Sequence, residues 1–331
     1  MTHVVVTGSE GFVGQVLVQR LLAQGLGGQP ITRLSLMDVR FAAPPTDARV
    51  RQIEGSIADA AVRAQAYDGP VDAVFHLASI PGGAAEKNYE LGRRINLDAT
   101  LGLLEDLRGQ AEQRHTAPAG GGSPVGDPGA PRFVFASTIA VYGEHLPPEV
   151  NEATLPNPGL SYGAHKLAGE YLVADATRKG WCQGCSLRLP GVVARPGDGA
   201  GMMSAFMSQL FWKLAAGEPI TVPVTAEGVA WWISVGACVD NLLHAATVDP
   251  ARLNPRRSYQ MPVLRFTVGE LVDALSVRYG ADRQALVSYA PDPFIQRLFA
   301  SYPPLHTPEA LALGLKHDGD IATLIDRATS T

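Results

Sequence analysis

Tyr162 and Lys166 stand four residues apart in Ser161-Tyr-Gly-Ala-His-Lys166. On a helix that spacing returns both side chains to one face, so a phenol and an ammonium lie side by side. A free tyrosine titrates near ~10, and a cation held beside it favours the phenolate. The pair is suited to moving a proton to or from a substrate hydroxyl at neutral pH. A lone Tyr-x-x-x-Lys is usually an amphipathic surface pair. Here Phe133-Val-Phe-Ala-Ser-Thr-Ile-Ala-Val-Tyr-Gly143 lies upstream, a β-rich run that stops in the hydroxyls of Ser137 and Thr138. A strand whose end delivers a hydroxyl to a cleft is where an open α/β sheet places its chemistry.

A second constellation opens the chain. In Val4-Val-Val-Thr-Gly-Ser-Glu-Gly-Phe-Val-Gly14 a strand runs into a glycine loop and then a helix. Gly8, Gly11 and Gly14, with Phe12 and Val13 between them, let a pyrophosphate approach backbone N–H groups at the helix N-terminus, where the dipole favours negative charge. The spacing Gly-x-x-Gly-x-x-Gly differs from the commoner dinucleotide fingerprint but uses the same physics. Asp38 closes the second strand. An acid there accepts from the adenosine ribose hydroxyls and repels a 2′-phosphate, so the expected cofactor is NAD. Arg40 lies close enough to leave a modest route to NADP.

These residues need elements to hold them. Apolar runs and helical stretches alternate: strands over 3–7, 33–38, 71–78, 132–136 and 186–189, and helices over 11–24, 58–67, 88–108 and 162–179. Such alternation predicts an α/β fold with a Rossmann-type, doubly wound parallel sheet. The dinucleotide-binding domain is expected over 1–190, with a Gly- and Pro-rich surface insertion at 109–131. Residues 191–331, where Met, Trp and Pro accumulate, read as a mainly substrate-binding domain, with segments near 233–262 returning to the first. Thr267 and Glu270 have capping-box spacing for a helix over 267–276, and 307–323 also reads as helical.

Composition bounds the partners. At 331 residues, 46% hydrophobic and 18% charged, the chain suits a compact enzyme of one large or two modest domains. A net charge of -5 offers no footprint for nucleic acid, and no basic cluster suggests a membrane surface. With a strand beginning near residue 3 and no apolar run approaching ~20 residues, the protein is expected in the cytoplasm. Cys182, Cys185 and Cys238 are too few for a disulfide framework. Cys182-x-x-Cys185 lacks a second ligand pair, so no metal is expected.

Taken together, these segments resemble the extended short-chain dehydrogenase/reductase superfamily, the group of NAD-dependent epimerases and dehydratases. The resemblance spans nearly the whole chain. It includes Val74-Phe-His-Leu-Ala-Ser79, Asn96 with Thr100, the Ser137–Gly143 stretch and Leu187-Arg-Leu-Pro190. It implies Tyr162 as acid-base residue, Lys166 holding the nicotinamide ribose, Thr138 orienting the substrate oxygen and Asn96 near the active site. It further implies that Ser56 and Ile57 meet the adenine, that Leu77, Ala78, Ser79 and Asn96 border the cofactor, and that Pro190 and Val192 line the nicotinamide. A homodimer built from the helices over 88–108 and 162–179 is also implied.

Two departures bear on function. Ser56 stands where the family often has an Asp. Nucleotide-sugar members carry an arginine that grips the diphosphate, where this chain reads Ala230-Trp-Trp-Ile-Ser-Val-Gly-Ala237. Without a bidentate cation a diphosphate loses its main source of affinity, so a smaller substrate is expected. Arg188 to Gly197, the indoles and Thr307 to Leu315 look most like the subgroup typified by D-erythronate dehydrogenase. That likeness implies NAD-linked oxidation of a secondary alcohol in a short sugar acid or hydroxy acid, with Arg195 on its carboxylate and Ser79, Thr138, Tyr162, Trp231 and Trp232 around it. The alternatives are a nucleotide-sugar epimerase or dehydratase with tightly held NAD, and a non-catalytic dinucleotide-binding protein.

Overall fold

The computed structural model describes residues 2–116, 129–197, 199 and 202–330. Five strands form the frame: β1 (His3–Thr7), β2 (Arg33–Asp38), β3 (Val50–Glu54), β4 (Ala73–His76) and β5 (Arg132–Thr138). With strands Gln183–Leu189 and Ser258–Gln260 they make a seven-stranded sheet, ordered Ser258–Gln260, Gln183–Leu189, β5, β4, β1, β2, β3. The pairings among β1 to β5 are all parallel. All five residues of β1 are buried, as a central strand covered on both faces requires. The chain builds outward from β1 through β2 to β3, then returns to β4 on the other side. That reversal makes the switch point where an open α/β sheet leaves a crevice beyond its strand ends.

β3 escaped the sequence reading for a physical reason. It reads Val-Arg-Gln-Ile-Glu, lies at the sheet edge, and buries only Ile53, so it has neither an apolar run nor clean alternation. The helix expected over 88–108 is found as Tyr89–Arg93, a π-helical turn Arg94–Asp98, and Ala99–Thr116. Its length corrects the expected start of the insertion. Gln110 is still helical, donating to the Gly69 carbonyl at 2.7 Å and accepting from the Val71 N–H at 3.3 Å. Residues 117–128 of the insertion lie outside the described residues.

The chain forms two compact units. One comprises Met1–Val141, Leu160–Arg188 and Leu242–Tyr259; the other Tyr142–Gly159, Leu189–Asn241 and Gln260–Thr331. In the second, strand Val229–Ser234 runs between Leu264–Thr267 and Gly191–Val193. Its core gathers Phe206, Leu210, Phe211, Trp232, Phe266 and Leu275. Helix Val268–Tyr279 starts with the expected capping box, Thr267 and Glu270 each bonding the other's backbone N–H. The helical stretch expected over 307–323 is instead two helices, Pro308–Leu313 and Ile321–Thr329. Gly314, at φ +106°, ends the first, and between them the Asp318 carboxylate accepts from the Ser234 N–H at 2.8 Å and hydroxyl at 2.5 Å. Among the described residues no helix is long and apolar enough to cross a membrane.

Candidate active site

The site begins where β1 ends. Gly8 has φ +71°, a conformation side chains avoid, and its N–H donates to the Met37 carbonyl at 2.8 Å. A Cβ on Gly8 would stand 2.7 Å from the Ala78 backbone, and one on Gly14 would stand 2.2 Å from the Gly8 carbonyl oxygen. The turn therefore closes tightly, with the exit loop of β4 resting on it. Gly11, the N-cap of helix Phe12–Gln24, makes no side-chain cap hydrogen bond. Phe12 and Val13 are half-buried.

The next strand ends add acceptors. Asp38 closes β2, half-buried, its carboxylate accepting from the Glu10 N–H at 2.9 Å and the Val39 N–H at 2.8 Å. Ser56 follows β3 and accepts from the Ala58 N–H at 3.3 Å. Ile57 is buried, and its carbonyl accepts from Arg63 at 2.9 Å. Arg40 is exposed.

Helix Ser161–Arg178 carries the proposed acid-base pair. Tyr162 is half-buried, while Lys166 is only 1% exposed. The Lys166 Nζ lies 4.7 Å above the centre of the Phe135 ring and 6.0 Å from that of Tyr162. It has no hydrogen-bond partner among the described residues. Burial pushes its pKa down to about 7, because an ammonium away from water is costly. An acceptor placed on Nζ would favour the charged form. Thr138 ends β5 nearly buried, its Oγ1 accepting from the Ala140 N–H at 3.1 Å.

Asn96 is held through both ends of its amide. It sits fully buried in the π-helical turn, its Oδ1 accepting from the Ile80 N–H at 2.7 Å and its Nδ2 donating to the Ile80 carbonyl at 3.0 Å. Each end of the amide holds one backbone group of Ile80, so Asn96 clamps the segment after β4. Half-buried Leu77, Ala78 and Ser79 belong to that segment, and the Ala78 N–H donates to Thr7 Oγ1 at 3.3 Å. His76 extends the clamp, with Nδ1 2.7 Å from Thr7 Oγ1 and Nε2 2.9 Å from Thr100 Oγ1, which donates to the Asn96 carbonyl at 3.0 Å. A second cluster, Ser137, Glu170 and Arg188, was missed. Its signal was available, since Glu170 lies four residues beyond Lys166 on the same helix face.

The remaining residues belong to the second unit. Pro190 is buried, Val192 half-buried and Arg195 exposed. The Arg195 N–H donates to Ser208 Oγ at 2.9 Å, and its carbonyl accepts from the Trp212 indole at 2.9 Å. Trp231 and Trp232 are both 0% exposed. Trp231 stacks on Tyr302 and donates to the Pro303 carbonyl; Trp232 stacks on Phe266 and donates to its carbonyl. Two indoles on successive residues of a central strand point to opposite faces, and both faces are covered. As core residues they present no surface to a substrate, which corrects their expected role. Cys182 and Cys185 are buried, and burial raises each thiol to about 12, which leaves them unreactive.

A nicotinamide dinucleotide fits the first unit. The turn has no room for side chains at Gly8 and Gly14, a carboxylate ends β2, and the Lys166 amine, with no partner among the described residues, needs acceptors such as ribose hydroxyls. Residues 4–257 match the NAD dependent epimerase/dehydratase family. The chain is 36% identical over 329 residues to the D-erythronate dehydrogenase of Cupriavidus necator, covering 98% of this chain and 96% of that protein. It is 31% identical over 326 residues to that of Haemophilus influenzae, covering 98% of each. Among solved structures, a nucleoside-diphosphate-sugar epimerase from Agrobacterium tumefaciens superimposes with TM-score 0.86 at 31% identity, covering 98% of this chain and 92% of that one. The L-threonine dehydrogenase of Clostridium difficile shares the fold, with TM-score 0.81 at 18% identity, covering 98% and 96%.

Lys166 makes dinucleotide-free stability depend on pH. Between about 7 and the ordinary lysine value of 10.5, the unfolded chain keeps a proton that the folded protein has released, so stability rises with pH. Urea unfolding at neutral pH and at a pH inside that window should show the rise in the wild type and its loss in Lys166→Met. Equal pH dependence in the two proteins would contradict the assignment.

Proposed function

The chain belongs to the NAD dependent epimerase/dehydratase family and is a dinucleotide-dependent oxidoreductase; we propose that it oxidises a secondary alcohol of a short sugar acid or hydroxy acid with NAD. The observation that carries this reading is the buried Lys166 amine, without a partner among the described residues, on one helix face with Tyr162. A protein that only binds dinucleotides has no need of that pair together with a hydroxyl such as that of Thr138 at the end of β5. The substrate class rests on the two D-erythronate dehydrogenases at 36% and 31% identity, and on the lack of any cation in Ala230–Ala237.

A bound nicotinamide would supply the hydride acceptor. Tyr162 takes the hydroxyl proton, and Thr138 holds the oxygen that loses it. Lys166 donates to the ribose hydroxyls, which keeps its charge and favours the Tyr162 phenolate. The turn at Gly8, Gly11 and Gly14 holds the pyrophosphate, Asp38 the adenosine ribose, and Ser56 and Ile57 the adenine. Pro190 and Val192 flank the nicotinamide, while Ser79 and Arg195 meet the substrate. The same reading carries a cytoplasmic location and a homodimer, supported by exposed Leu101 and Tyr171 on helices Ala99–Thr116 and Ser161–Arg178. Light scattering at micromolar concentration should return twice the 35.0 kDa chain mass; the mass of one chain refutes the dimer.

The Agrobacterium relative favours a second reading, a nucleotide-sugar epimerase. Such an enzyme regenerates its dinucleotide within each turnover and accumulates no reduced nicotinamide. With NAD and a panel of short sugar acids, the dehydrogenase accumulates it continuously. On the best substrate found, Tyr162→Phe should lower kcat by ~10²–10⁴-fold with NAD affinity nearly unchanged. Thr138→Ala should lower kcat, while Thr138→Ser retains much of it. Wild-type kcat in Tyr162→Phe would refute the role of the phenol.

Cofactor choice gives an independent test. Asp38 should make kcat/KM for NAD exceed that for NADP, and Asp38→Ala should narrow the gap. Equal or better use of NADP by the wild type would overturn the assignment.

A further inference from the structure

Ser137, Glu170 and Arg188 form a buried cluster to which the proposed chemistry assigns no part. They are 2%, 4% and 8% exposed. Ser137 Oγ donates to Glu170 Oε1 at 2.5 Å, and Arg188 donates through Nε to Oε1 at 2.9 Å and through Nη2 to Oε2 at 2.8 Å. The carboxylate thus joins three elements of one unit: the end of β5, helix Ser161–Arg178 and strand Gln183–Leu189. A buried ion pair is a poor source of net stability, because desolvation offsets its Coulomb attraction. What it does supply is direction, since a bidentate guanidinium allows the carboxylate one orientation.

That direction matters because of what stands next to each partner. Ser137 precedes Thr138, and Glu170 follows Tyr162 and Lys166 in steps of four along one helix face. Successive side chains leave a strand on opposite faces, so seating Ser137 on Glu170 fixes the direction in which Thr138 leaves β5. We infer that Glu170 is a positioning residue: held by Arg188, it binds Ser137 and thereby sets the Thr138 hydroxyl relative to the Tyr162 phenol. The inference rests on the proposed roles of Thr138 and Tyr162.

Ser137→Ala is the informative variant, because it cuts the link while leaving the Glu170–Arg188 pair whole. Misplacement of a reacting group by ~1 Å costs on the order of 10²-fold, so kcat should fall by about 10- to 100-fold. NAD affinity by fluorescence titration and the thermal midpoint should stay at wild-type values, and Ser137→Thr, which restores the donor, should recover most of the rate. Wild-type kcat in Ser137→Ala beside an inactive Tyr162→Phe overturns this inference alone. A kcat loss matched by lost NAD affinity or a lowered midpoint also overturns it, since that is general loosening. If Tyr162→Phe is itself fully active, the reading of the site has failed and the inference falls with it.

Discussion

A lysine held out of water with no acceptor among the described residues is the constraint around which this site is arranged. Folding has to offset the desolvation of Lys166, and the surroundings bear on that cost. Phe135 gives the amine a ring face at 4.7 Å, which is attractive only for the charged form. His76 is buried too, and burial first, then the neighbouring Lys166, keep it neutral. Its ring nitrogens are both taken up by threonine hydroxyls, so it remains a hydrogen-bonding brace and adds no second positive charge. On the proposed function this balance is an advantage: the amine is placed before any ligand arrives, and its missing partners are those a ribose supplies.

The rest of the fold serves to hold short polar side chains at strand ends. The carboxyl ends of β1, β2, β4 and β5 carry Gly8, Asp38, the clamped segment before Ile80, and Thr138. Each is secured from a different element. The Ala78 backbone closes on Gly8, the Glu10 N–H holds Asp38, Asn96 grips Ile80, and Glu170 seats Ser137. The β4 loop is gripped from a π-helical turn, a rare distortion that often marks functional sites. Asn96 reaches the Ile80 backbone from that turn with both ends of its amide.

What was legible in the sequence was local. Tyr162 with Lys166 and the glycine loop are read from spacing on one element, and they stand where that spacing implies. Partners that come from elsewhere in the chain were not legible. Asn96 was recognised, but its hydrogen bonds go to Ile80 on another segment. Trp231 and Trp232 misled because a change of residue type in a motif was read as a change at a ligand surface. Burial on both faces of strand Val229–Ser234 depends on Tyr302 and Phe266, which no local pattern connects to it. β3 was hidden by edge-strand polarity. Glu170 could have been found from its four-residue step, but not its bonds to Ser137 and Arg188, which are tertiary.

Lys166 is buried without a partner among the described residues, and on the proposed function a dinucleotide provides one. NMR titration of the lysine side chain next to Nζ, assigned through Lys166→Met, tests it directly. In the dinucleotide-free protein the inflection should lie near 7, and saturating NAD should move it upward as the ribose hydroxyls accept from the ammonium. An inflection at the ordinary lysine value without NAD, or one near 7 that NAD leaves in place, would contradict the account.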